Sequence, residues 1–235
     1  MKKLLSLAVA TFAFAAMAEY TGQTIGVTKI TTTNQNTIVA VPFASLTNSL
    51  ADISANDLVS PVGLPKDTVL QVFKNNQYYG WQLDNNGVWV AVGDQAASQA
   101  DVIANSTIAC GGAIWVVLPS APATSQDIYI YGDFTTEPKT SSIVGGGESK
   151  VANLVANPLQ SVASIGVTPA VGDQVIVPQD GAPEVYTWRT KSGGADGTWR
   201  RDGKAASLPD IAVGQGIWYV RATNTGDTTI SWTAK

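Results

Sequence analysis

Beyond its first residues the chain reads as short apolar stretches rich in Val, Ile, Thr, Tyr and Trp, set between clusters of Asn, Gly, Asp and Pro. That pattern predicts strands joined by tight turns. Val69–Lys74, Gln77–Leu83 and Val88–Val92 are separated by Asn75-Asn76 and by Asn85-Asn86-Gly87. Asn and Gly accept the positive φ that a short hairpin turn requires, so the three segments predict a meander. Val175–Val177, Val185–Arg189 and Thr198–Arg201 repeat it further on. Ile114-Trp115-Val116-Val117-Leu118 is apolar at every position, as in a strand covered on both faces. The glycines before it, Gly111 and Gly112, mark a bulge or a close backbone approach. One short helix is expected between Asn48 and Leu58, where Leu50, Ile53 and Leu58 stand among Ser and Asp.

The chain also aligns with itself. Ile38-Val39-Ala40-Val41-Pro42 matches Leu154-Val155-Ala156-Asn157-Pro158, and each is followed by an Asp-led β-run, at Asp67 and at Asp173. Trp81 and Trp89 in the first copy stand against Trp188 and Trp199 in the second. Gly111-Gly112-Ala113-Ile114-Trp115 matches Gly214-Gln215-Gly216-Ile217-Trp218, and each copy closes on an Asp-led strand, at Asp127 and at Asp227. Landmarks kept in one order at similar spacing define a duplication. The expected fold is all-β: two tandem repeats of about six short strands each, forming a sandwich or a partly open barrel.

Lys2 and Lys3 precede an apolar run from Leu4 to Ala16, and Ala16-Met17-Ala18 has the small-x-small form cut by signal peptidase. Residues 1–18 therefore read as a signal peptide, with Glu19 as the new N-terminus. The run is short for a bilayer span, so no stable membrane span is expected in the mature form. Residues 19–134 form the first repeat, with a lead-in strand from Tyr20 to Thr33 that has no counterpart in the second. Residues 135–149, rich in Thr and Ser and holding Gly145-Gly146-Gly147, read as a flexible linker. Residues 150–235 form the second repeat.

A Pro-ended strand, an Asp-led β-run, paired Trp and a terminal Gly-x-Gly-x-Trp form an order that resembles repeats in exported proteins of unknown function from verrucomicrobial and related bacteria. The resemblance covers most of the mature chain. It implies an exported β-repeat protein, and it brings no activity, cofactor or site residues with it.

Composition narrows the chemistry. With no His the chain lacks the commonest general base and metal ligand, and a Ser-His-Asp arrangement is excluded. Cys110 is the only cysteine, so no intrachain disulfide exists. Its apolar setting reads as a small buried hydrophobe, with pairing between chains as the alternative. Glycoside hydrolysis by two carboxylates is the remaining enzymatic reading. Yet Asp67, Asp127, Asp173 and Asp227 recur at strand starts, where Asp caps turns. Asp84-Asn85-Asn86-Gly87 has oxygen ligands but no downstream acid at calcium-loop spacing, and reads as a hairpin turn. No catalytic, metal or cofactor residue is assigned. Without Lys2 and Lys3 the chain keeps twelve basic against eighteen acidic side chains, which disfavours nucleic acid.

The charges are uneven. Residues 19–140 hold four basic and ten acidic side chains, and residues 148–235 hold eight of each. Neighbours in a strand point to opposite faces. If Trp188, Trp199 and Trp218 face the core, then Arg189, Arg200 and Arg221 face out, with Tyr219 beside Arg221. These four make a candidate face for an anionic glycan or an acidic partner surface. Trp232 is the Trp least tied to a repeated landmark and the one freest to stack on a sugar. The expected function is an exported structural or adhesive protein, possible as a subunit of a surface layer, filament or matrix that pairs with itself. A glycan-binding module is the rival and a carboxylate hydrolase the third.

Overall fold

The computed structural model describes residues 25–41, 53–74, 76–92, 98–108, 111–133, 140–159, 161–178, 182–190 and 197–235. The expected signal peptide, Leu50, Cys110 and the first part of the expected linker lie outside the described residues.

The first repeat holds β1 (Ile25–Thr32), β2 (Asn36–Ala40), β3 (Ile53–Ser54), β4 (Val69–Lys74), β5 (Gln77–Leu83), β6 (Trp89–Val92), β7 (Thr107–Ile108), β8 (Ala113–Val117) and β9 (Gln126–Asp133). The second holds β10 (Thr140–Ile143), β11 (Val151–Ala156), β12 (Ala163–Val167), β13 (Gln174–Val177), β14 (Glu184–Thr190), β15 (Gly197–Arg201), β16 (Lys204–Ala205), β17 (Gly216–Arg221) and β18 (Thr228–Ala234). Among the described residues the first repeat also holds two short helices, α1 (Ala55–Leu58) and α2 (Gln99–Asn105). The α2 helix was not expected. Its start is written in Ser98-Gln99-Ala100-Asp101, a capping box in which Ser98 and Asp101 serve each other's backbone N–H.

The fold is all-β and sandwich-like, with antiparallel sheets of which none closes into a barrel. The large sheet of the first repeat runs β2-β8-β4-β5-β6, and that of the second runs β11-β17-β13-β14-β15-β16. Up to β16, the two orders are the same. Registers fix the equivalences. Ile38 faces Trp115 as Leu154 faces Trp218, and Gln71 faces Trp115 as Ile176 faces Trp218. Leu83 faces Trp89 as Trp188 faces Trp199. Trp81 pairs with Leu70 as Tyr186 pairs with Val175, so Trp81 corresponds to Tyr186 and Leu83 to Trp188. The sequence alignment was two residues out here, because both positions are apolar and only the hydrogen-bonded ladder separates them. Likewise Thr68, not Asp67, corresponds to Asp173: Leu83 N–H donates to the Thr68 carbonyl as Trp188 N–H donates to that of Asp173 (both 2.9 Å).

The lead-in strand has a counterpart after all. β1 pairs with β9, and β10 pairs with β18, each just ahead of its repeat's first large-sheet strand. Part of the expected linker is therefore strand. Its three glycines are not spacers either. Gly145 N–H donates to Asp227 Oδ1 (2.7 Å) and Gly146 N–H to Thr225 Oγ1 (3.0 Å). A Cβ on Gly146 would lie 1.9 Å from the Ala222 carbonyl oxygen, so glycine is needed there for close packing, not for freedom.

Each repeat has its own apolar core, and a third cluster joins them. Ala40, Ala113, Leu154 and Ala156 are buried together, with Ile38, Phe73, Trp115 and Trp218 packed against them. Phe73 meets Trp218 edge to face, with ring centroids 4.8 Å apart. Gly216 sits against Ile38, and a Cβ there would lie 2.1 Å from Ile38 Cγ2. Ser141 donates to the Gly111 carbonyl across the joint (2.7 Å) while accepting from Trp232 Nε1 (2.7 Å). Asn76 closes the far side, donating to the Lys150 carbonyl and accepting from Ala152 N–H (both 3.0 Å). The both-faces-apolar reading of the central strand holds: Ile114, Val116 and Leu118 enter the repeat's core, and Ala113 and Trp115 enter the joint.

Candidate functional site

The predicted basic face does not form. Arg189 is exposed on β14 and Arg200 half-buried on β15, where its Nη1 donates to the Gly203 carbonyl (3.0 Å). Tyr219 and Arg221 point the other way and are buried. The inference assumed that Trp218 faces its own core. Instead Trp218 packs into the joint, which turns its neighbours of opposite parity, Ile217, Tyr219 and Arg221, inward. Trp232 is 2% exposed, so it offers no ring to a sugar. All seven Trp are buried or packed on an apolar cluster.

What Tyr219 and Arg221 build is a buried polar group around Asp173, which is fully buried. Asp173 Oδ2 accepts from Tyr219 Oη (2.8 Å), Ala170 N–H (2.9 Å) and Arg221 Nη1, and Oδ1 accepts from Ala222 N–H (2.8 Å). Arg221 Nη2 donates to the Gly226 carbonyl (2.9 Å), and its Nε is buried without a partner. Burial pushes the Tyr219 hydroxyl well above its ordinary range, and its hydrogen bond to Asp173 adds to the shift. The first repeat holds Thr68, Val116 and Leu118 at these positions. Through its hydrogen bonds the Asp173 group ties the turn before β13 to the end of β17 and the turn that follows it.

Two other surfaces lie at the outer ends of the large sheets. In the first repeat β6 is the last strand of its sheet, and no described strand pairs with its outer side. Trp89 and Ala91 enter the core while Val88, Val90 and Val92 stand exposed. Alternation alone could not identify this, because a row of valines normally marks a buried face. Beside the row lies a groove of about 560 Å³ lined by Lys66, Asp67, Gln82, Asp84, Val90 and Gln99. Asp84 accepts from Asn86 N–H (2.8 Å) and Val88 N–H (2.9 Å) in the turn expected there. The Val88 hydrogen bond leads in holding its carboxyl below the usual range. Hydrogen bonds from Ser98 do the same for Asp101. Both acids thus stay ionised at neutral pH.

The matching end of the second repeat is basic. β15 is covered by the two-residue strand β16, and Arg189, Arg200, Arg201 and Lys204 gather there with Glu184 and Asp202. Arg201 pairs with Glu184 and, at 3.8 Å, with Asp202.

Among the described residues no group of three or more potential metal ligands occurs, and no helix is long and apolar enough to cross a membrane. Comparison with protein-family models, curated proteins and solved structures returned no match.

Proposed function

We propose that the protein is an exported structural or adhesive subunit that assembles with copies of itself, as in a surface layer, filament or matrix. The observation that carries this reading is the joint between the repeats. An apolar cluster built on the repeated Trp landmarks fuses both into one body, and the Trp rings that a ligand would need are packed away. What faces outward is polar surface with exposed valines among it, and each large sheet ends in an edge strand away from the joint. Export rests on the N-terminal segment, and a mass loss matching residues 1–18 tests it. Assembly is tested by light scattering and electron microscopy of the purified protein at rising concentration. Ordered, growing assemblies are expected, and a single chain at every concentration refutes the reading. A glycan-binding module is the second reading, favoured by the polar groove beside β6. Retention on immobilised polysaccharide by a protein that stays monomeric would select it.

A further inference from the structure

The repeats carry matching apolar residues at part of their joint (Ile38 and Leu154, Ala40 and Ala156, Trp115 and Trp218) and differ at their outer ends. The registers place Asp84 opposite in role to Arg189, each following the strand residue that faces Trp89 or Trp199. Val90, facing Gln82, corresponds to Arg200, facing Thr187. One end of the molecule is therefore a strand edge that no described strand pairs with, bearing exposed valines and flanked by the helix Gln99–Asn105, with Asp67, Asp84 and Asp101 beside Lys66 among the described residues. The other is a short edge carrying Arg200, Arg201, Asp202 and Lys204, with Arg189 and Glu184 on the adjoining strand β14, among the described residues.

We propose that the β6 edge of one molecule docks on the β15–β16 edge of the next, joining copies of this chain head to tail. The inference rests on the assembly reading above and names its contact. An open, apolar edge strand is a template for pairing with another chain. Charge selects the occupant. Two β6 ends would bring carboxylates together, and two β16 ends would bring cations together, whereas the mixed pairing sets acid against base. Each edge is the end of its sheet away from the strands through which the repeats meet, β2, β4 and β8 against β11 and β17. A contact between unlike patches does not close on itself as a two-fold pair would, so it propagates into a linear array.

Sedimentation velocity on the purified protein and two variants tests this. Val90→Lys puts a cation on the β6 edge; the pair Arg189→Glu and Lys204→Glu reverses the other end. All three positions are exposed, so folding, checked by circular dichroism, should survive. The unaltered protein should form a concentration-dependent series of oligomers, weakened on the order of tenfold by salt that screens the ends. Each variant alone should sediment as a single chain, because each chain keeps one competent end and lacks its complement. The docking inference predicts which edge each variant retains: Val90→Lys keeps a competent β16 end, and the double variant keeps a competent β6 end. Mixing them should restore a species of two chains that grows no further. If the unaltered protein assembles and either variant assembles as well, the edge inference falls while the assembly reading stands. If blocking the β16 end leaves a stable dimer, β6 pairs with β6 and the inference is overturned. If the unaltered protein never assembles, the assembly reading falls with it.

Discussion

Breaking the buried group around Asp173 should be costly, and replacing it should not. Asp173→Asn keeps the shape but leaves the Arg221 guanidinium buried without its counter-charge. Arg221→Leu leaves the carboxylate with only its two N–H donors and the Tyr219 hydroxyl. Removing one partner of a buried pair costs about 3–5 kcal/mol. The Arg221→Leu variant should fall at the low end, because three hydrogen bonds to the carboxylate remain. The first repeat shows an alternative occupancy: Thr68, whose hydroxyl donates to the Pro65 carbonyl (2.6 Å), and the buried Leu118. Installing it as Asp173→Thr with Arg221→Leu removes both charges together and should cost about 1–2 kcal/mol, well short of the summed single losses. Urea unfolding followed by Trp fluorescence reads this out, since Trp199 lies 6.4 Å from Tyr219, ring to ring. With a slope of about 2 kcal/mol per molar urea, each single variant should lower the midpoint by roughly 1.5–2.5 M. Single losses below about 1 kcal/mol, or a double loss that equals their sum, would refute the account.

Three further outcomes follow from the joint and from the same group. Gly216→Ala should cost about 1–3 kcal/mol by driving a methyl group into Ile38, and adding Ile38→Ala should recover part of that loss; a harmless Gly216→Ala in thermal melts would mean that the repeats do not meet so closely. Ser141→Ala strips Trp232 Nε1 of its acceptor and should cost about 1–3 kcal/mol, so an unchanged melting temperature would deny the bridge. Tyr219 has a raised folded pKa, so its contribution is fully present below about pH 10 and is lost as pH climbs toward the folded value. Melting temperatures from pH 8 to pH 11 should accordingly fall more steeply for the unaltered protein than for Tyr219→Phe, and parallel curves would contradict the shift.

The strands, turns and duplication were legible because each leaves a local mark. Asn85-Asn86-Gly87 announces its hairpin, and an all-apolar run such as Ile114–Leu118 announces a strand covered twice. What covers the second face was not legible. Trp218 and Trp115 look like core residues of their own repeats, and only the packing of one sheet on the other shows that they serve the joint. That single change of side reversed the inferred direction of Tyr219 and Arg221 and dissolved the predicted basic face. β10 escaped for a related reason. Thr140-Ser141-Ser142-Ile143 has the composition of a linker, and its strand character comes from β18, which offers it a ladder. The glycine-rich segment was misjudged because composition reports how freely a chain can move, not how tightly its neighbours press on it. Trp232 was left unassigned in the sequence because its hydrogen-bond partner, Ser141, lies 91 residues away.

The joint also bears on how copies of the whole chain can meet. Identical units commonly associate through one self-complementary patch, which closes a pair and stops. Here the two repeats already present equivalent residues to each other: Ile38 and Leu154, Ala40 and Ala156, Trp115 and Trp218. The patch through which like units would close is thus filled inside the chain. Under the proposed assembly, contacts between chains fall to the parts where the repeats differ, and the differences are not random in kind. Asp84 stands where the other repeat has Arg189, and exposed Val90 where it has Arg200. The second repeat guards its edge with a short strand and charge, the usual means of preventing edge-to-edge pairing. The first repeat leaves its edge apolar, with acids only beside it. An edge that is guarded against its own kind but complementary to the other end permits one pairing and disfavours two. Under the proposed head-to-tail docking, fusion of the repeats turns a unit suited to closed pairs into one suited to open arrays.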